Sequence, residues 1–223
     1  MREGGIHWMK KLASIIALII LGTALFCTGQ TVPAGDVSKR SVKLEIRGAD
    51  FTEIISTTAM MHKLPTGFQQ TSAASAECEK KRDVLFPNRV QVGMLMTFLM
   101  PECPGYSWSG GDVLSVFPSP KEDSVLDVVI PEFAVEQLNL EETLDRIFEL
   151  PEVKRYLKDK KLSRSTAHKG LSTATSDAGK YRFAFTKKSV RDILNHIVAT
   201  TGYKIWVHQG PAGPDREINV RIF

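Results

Sequence analysis

Cysteine is scarce in this sequence. Three occur in 223 residues, Cys27, Cys78 and Cys103, and none form a CxxC pair. The usual frame for a zinc or dithiol site is therefore missing. No HExxH, no His pair at i and i+4 and no G-x-G-x-x-G is present, so zincin and dinucleotide-binding readings lack their motifs. The charge excess is small. Net charge is +4, from 29 basic and 25 acidic residues, too little to make nucleic acid the default partner. Long apolar runs are also lacking. The longest, Leu12 to Cys27, has 16 residues, short for a membrane span. What is present is a 43% apolar, 24% charged chain, the composition of a folded domain.

The N-terminus reads as an export signal. Met9-Lys10-Lys11 precedes the apolar run, and Val32-Pro33-Ala34 puts small side chains before Gly35. Residues 1–34 are the expected signal peptide, with Met9 a second candidate start. An uncleaved anchor helix and lipidation at Cys27 are the alternatives. Cleavage leaves net charge +2 over 189 residues and two cysteines, Cys78 and Cys103. An even count in an exported chain points to a disulfide. It would close a loop of about 26 residues, worth about 3 kcal/mol on the chain-entropy model. Two free thiols are the other reading.

The mature sequence repeats a strand-then-helix pattern. Val42, Leu44 and Ile46 alternate with charged residues, and Asp50 with Glu53 forms a capping box before a stripe of Phe51, Ile54, Ile55 and Thr58. Tyr181, Phe183 and Phe185 alternate likewise. Ser189 with Asp192 then precedes Val190, Ile193, Leu194 and Ile197. An offset of 139 superposes the two, suggesting an internal repeat. Two further units start near Val84 and Leu126, the second leading to a helix capped by Asn139 with Glu142. A helix over 151–160 follows, then a Ser/Thr/Ala/Gly-rich linker over 163–180. Two hairpins are expected, Tyr106–Trp108 with Val113–Phe117, and Lys204–His208 with Glu217–Phe223.

The stretches VKLEIRGADFTEIISTTAMMHKL and VQVGMLMTFLMPECPGYSWSGGDVLSVFP together resemble the secretin and TonB short N-terminal domain. YRFAFTKKSVRDILNHIVATTGYKIWVH resembles the opening half again. The family runs strand, helix, strand, helix, then a hairpin. The resemblance implies an α+β fold of small βαβ and βαββ modules in tandem, with mixed sheets and helices on one face. The expected division is an STN-like module over 40–120 with an insert at 69–82, a strand-helix-helix segment over 121–162, the linker, and a strand-helix-hairpin module over 181–223. No secretin pore region or barrel follows, which implies a stand-alone periplasmic module.

No catalytic constellation emerges. His62, His168, His196 and His208 are scattered and read as solvent-facing. Glu141, Glu142, Asp145 and Glu149 read as a solvated helix face. Met60, Met61, Met94, Met96 and Met100 read as core filling. The expected function is non-catalytic binding of another envelope protein, with no cofactor and no nucleic acid. An envelope hydrolase with an unrecognised site, or a purely structural protein, is the rival. Strand addition at a hairpin edge is the expected mode, with Tyr106, Trp108, Lys204, Trp206 and His208 as the edge residues. Lys154, Arg155, Lys158 and Lys161 belong to a basic cluster that could meet an anionic surface.

Overall fold

Four strand-to-helix transitions organise the chain. The computed structural model describes residues 35–70, 76–165, 179–202, 205–212 and 216–223. Strand β1 (Ser41–Ala49) runs into α1 (Phe51–His62), with Asp50 and Glu53 closing a capping box. Strand β2 (Thr66–Gln69) and the short helix α2 (Ala76–Glu79) follow. Strand β3 (Arg82–Gln91) runs into α3 (Val92–Leu99), and the hairpin β4 (Tyr106–Ser109) and β5 (Leu114–Pro118) ends this half.

The second half repeats the order. Strand β6 (Val129–Leu138) enters α4 (Leu140–Glu149) through an Asn139–Glu142 capping box, and α5 (Pro151–Asp159) and β7 (Ser163–Arg164) come next. Strand β8 (Tyr181–Ser189) enters α6 (Val190–Thr200) through Ser189 and Asp192. The hairpin β9 (Ile205–Ala212) and β10 (Glu217–Ile222) closes the chain.

In each half the two helix-leading strands pair as an antiparallel ribbon, β1 with β3 and β6 with β8. The remaining six strands form one mixed sheet in the order β4-β5-β2-β9-β10-β7. Each half supplies three strands in the same order, and a parallel β2–β9 pair joins them, Gly67 opposite Trp206 and Gln69 opposite His208. The class is α+β, as expected.

The first core runs from ribbon residues Val42, Leu44 and Val84 through α1 and α3 to Phe68, Leu114 and Val116. The second runs from Phe133 and Phe183 through α4 and α6 to Ile218 and Val220. Neighbours on β9 belong to different cores, Ile205 to the first and Trp206 to the second. Successive side chains of a strand point to opposite faces, so the halves place their helices on opposite faces of the shared sheet.

The internal repeat is real but differently phased. Asp50 and Asn139 cap equivalent helices, and their buried faces coincide: Phe51, Ile54, Ile55, Thr58 and Ala59 against Leu140, Thr143, Leu144, Ile147 and Phe148. Val92, Leu95, Met96 and Leu99 of α3 match Val190, Ile193, Leu194 and Ile197 of α6. Gly48 and Gln137, each two residues before its cap, share a left-handed φ of 58° and 56°. The 139-residue offset pairs the opening unit of one half with the closing unit of the other. Both are a strand entering a capped helix, so their patterns are locally alike.

Several expected boundaries change. Residues 121–162 and 181–223 are not separate modules, because β6 and β8 pair along their length. The strand expected at Leu126–Ile130 begins instead at Val129, after a 3-10 turn over Val125–Asp127. The expected insert contains Gln69, the last residue of β2, which is buried at all four positions. Of the expected linker, Ser163–Arg164 pairs with β10, and 166–178 lie outside the described residues. The signal peptide expected over 1–34, with Cys27, also lies outside them. Among the described residues no helix is long and apolar enough to cross a membrane.

Candidate functional site

The two hairpins occupy different situations. β4 is an end strand of the sheet, whereas β9 lies between β2 and β10. Trp206 and His208 are therefore not edge residues. They are 0% and 4% exposed, because the parallel join to β2 buries them. Lys204 lies outside the described residues.

Trp206 is fixed by sequence on both sides. Its Nε1 donates to Asn195 Oδ1 at 2.8 Å, and its ring crosses the backbone of Gly67. A Cβ at Gly67 would lie 2.4 Å from Trp206 Cζ2. Pro65 and Gly67 give this segment the look of a turn, yet the missing side chain is what admits the indole.

The β4 edge is open differently at each residue. Tyr106 is buried, stacked 5.5 Å from Phe68 and tilted 5.3 Å from Phe51. Trp108 is partly buried against the first core. Ser119 N–H donates to Gly105 C=O, so residues 105, 107 and 109 turn their backbone groups toward β5. By the two-residue alternation of a strand, the N–H and C=O of Trp108 face outward.

A polar cluster sits where the halves meet. Arg191 Nη2 donates to Gln69 Oε1 at 2.7 Å and to Asp127 Oδ1 at 3.4 Å, and Lys121 Nζ lies 3.2 Å from the same carboxylate oxygen. Gln69 is buried beside His208. Burial, then the Arg191 charge, pushes the His208 imidazole down to about 4, so it is neutral at pH 7. Its Nδ1 has no hydrogen-bond partner among the described residues. A cavity of about 120 Å³ borders it, lined also by Ser124, Tyr156 and Lys160. Burial, then the nearby Asp123, pushes the Tyr156 phenol up to about 12. Sequence reading missed this cluster because its members lie far apart in the chain and match no spacing motif.

The basic cluster is partly neutralised. Lys154 pairs with Glu149 at 2.8 Å, Lys160 with Asp123 at 2.6 Å, and Arg164 with Asp145 at 2.6 Å while lying 4.6 Å from the Phe148 centroid. Arg155, Lys158 and Lys161 are exposed. The acidic face is thus partly matched by cations, and Glu142 serves its capping box.

Cys78 and Cys103 are joined, with Cα atoms 4.9 Å apart. A wider cleft of about 350 Å³ lies nearby, lined by Asp50, Glu53, Glu79 and Tyr106. Asp50 and Glu53 there are committed to the α1 cap. Among the described residues no group of three His, Cys, Asp or Glu could hold a metal ion.

Two surface readings change. His196 is not simply solvent-facing: it stands edge-on to Phe185 at 5.0 Å and Phe183 at 6.2 Å. Burial, then Lys188, lowers its pKa. His62 Nε2–H donates to Lys43 C=O at 2.8 Å, since a carbonyl oxygen only accepts. Of the methionines, Met96 is buried, whereas Met60, Met61 and Met94 are 53%, 60% and 63% exposed. They occupy the outer helix faces, off the buried stripes.

Comparison with protein-family models, curated proteins and solved structures finds no match to this chain.

Proposed function

We propose that the chain is a non-catalytic protein-binding or assembly module of the cell envelope, akin to the secretin and TonB short N-terminal domains. The observation that carries this reading is the open β4 edge on a sheet otherwise built into two cores. An edge strand with outward backbone groups can accept a partner strand, main-chain bonds giving affinity and neighbouring side chains selectivity. The order of elements in each half, strand-helix-strand then strand-helix-hairpin, supports the family resemblance, as does the Gly110-Gly111 connection of the first hairpin. The signal-like N-terminus supports a periplasmic or secreted location, where a Cys78–Cys103 bridge persists.

The partner is another envelope protein. The test is capture from envelope extract on the immobilised protein, comparing wild type with Ser109→Lys, which puts a charge on the exposed end of β4. One dominant partner, lost in the variant, is expected. Equal capture by both forms would refute edge recognition. Turnover of cell-wall or peptide substrates by the purified protein would favour the hydrolase reading.

A further inference from the structure

The join between the halves is a template for a second join. Inside the chain, β2 of the first half receives β9, the first hairpin strand of the second half, in parallel. Gln70 N–H donates to His208 C=O across it, so the backbone groups of Trp206 and His208 face β2. Among the described residues the sheet ends in the same two kinds of strand. At one end is β4, the first-half counterpart of β9. At the other is β7, the counterpart of β2.

Register makes the counterparts specific. Tyr106 faces Pro118 as Trp206 faces Ile222, so Trp108 stands where His208 stands. Leu114 faces Thr66 as Ile218 faces Arg164, so Arg164 stands where Thr66 stands. Ser163 donates its N–H to Arg216 C=O, just before β10, and Ser165 donates its N–H to Ile218 C=O of β10. The N–H and C=O of Arg164 therefore face outward, as those of Trp108 do.

We infer that β4 of one molecule pairs in parallel with β7 of a second molecule, extending the six-stranded sheet head to tail. This rests on the reading of the chain as an assembly module and adds a second copy of the chain as a further occupant of the β4 edge. Strand directions permit it. β4 runs antiparallel to β5, β5 parallel to β2, β2 parallel to β9, β9 antiparallel to β10, and β10 parallel to β7. Counted along this series, β4 and β7 point the same way. A translated second molecule thus offers β4 parallel to β7, the relation already used by β9 and β2.

Side chains agree with this. Trp108 is half-exposed on the free edge, whereas His208, its counterpart, is buried by the internal join. Ser165 follows Arg164 as Gly67 follows Thr66, so a small residue would stand opposite Tyr106 as Gly67 stands opposite Trp206. The exposed Lys161 leads into β7, and Glu102, which also pairs with Arg82, leads toward β4, so parallel alignment brings opposite charges to the same end. The contact is heterologous and does not close on itself, so the product is an open series rather than a symmetric dimer.

Sedimentation of the host-processed protein over a concentration series tests this. The weight-average mass of wild type should climb past twice the monomer value without a plateau. Ser109→Lys, which blocks the β4 end at an exposed position, should remain monomeric with an unchanged melting transition. Arg164→Pro removes the outward N–H of β7 without removing a bond to β10, and should also remain monomeric. An equal mixture of the two should form a 1:1 dimer, because each keeps one good end. A monomeric wild type, or a closed dimer that survives Ser109→Lys, would overturn the inference. The envelope-capture assay would still decide the binding-module reading on its own. Should Arg164→Pro fail to fold, the wild-type and Ser109→Lys arms suffice.

Discussion

Gly67→Ala is the smallest change that probes how the halves are joined. The new methyl would sit 2.4 to 2.7 Å from Trp206 Cζ2, Cε2 and Nε1, inside contact distance. The indole cannot yield easily. It is 0% exposed, and rotation would break its 2.8 Å bond to Asn195. Overpacking of this kind costs about 1–3 kcal/mol, and a lost hydrogen bond adds about 1 kcal/mol. Relief of glycine's conformational entropy returns about 0.5–1 kcal/mol. The expected net loss is about 2 kcal/mol. Trp206→Leu alone should cost about 3 kcal/mol as a buried aromatic truncation, but it empties the space the methyl needs. In that background Gly67→Ala should cost under about 0.5 kcal/mol. Denaturant melts of the four proteins give the coupling directly. Additivity within about 0.5 kcal/mol would mean that Trp206 does not lie on Gly67, and the β2–β9 join would be misplaced.

Other expectations follow from burial and charge. Ile54→Ala and Ile193→Ala, both at 0% exposure, should each lose about 2–5 kcal/mol, against about 0.5 kcal/mol for Thr57→Ala. His196→Ala should fall between, near 1 kcal/mol, for its lost aromatic contacts; equal melts for all four would refute the helix phase. Replacing Cys78 and Cys103 together by Ser should lower stability by about 3 kcal/mol, and an unchanged melt of oxidised wild type on reduction would count against the bridge. His208 has its folded pKa depressed to about 4 from 6.5. The unfolded chain then binds the extra proton between those values, so stability falls as pH drops from about 6.5 to 4, by up to about 3 kcal/mol. His208→Gln should flatten that slope, and a parallel pH profile would refute the assignment. Intact mass of protein from a native-like host should place the N-terminus between Gln30 and Gly35, and retention of Met9 would argue against cleavage.

The helices were legible because capping and periodicity are local. Asp50 with Glu53, Asn139 with Glu142 and Ser189 with Asp192 declare three helix starts, and all three capping boxes form. The fourth start, at Gln91, has no side-chain cap, and only the apolar stripe marks it. The ribbon strands alternate because one face meets helices and the other meets water. β2 did not show itself, since all four of its residues are buried and alternation disappears when both faces are covered. β7, two residues long, carries too little pattern to find.

The hairpin residues show why the candidate edge was only half legible. Tyr106, Trp108, Trp206 and His208 come from two hairpins of similar sequence pattern, and nothing within either hairpin says which neighbour it meets. That depends on a partner strand in the other half. β9 finds β2, and its aromatic and imidazole side chains become interior. Among the described residues β4 finds no strand beyond it, and Trp108 stays only partly buried. The same short motif thus yields a core strand in one half and an accessible edge in the other. The difference lies in the join, a non-local feature that registers in sequence only as a glycine, Gly67, placed where Trp206 must pass.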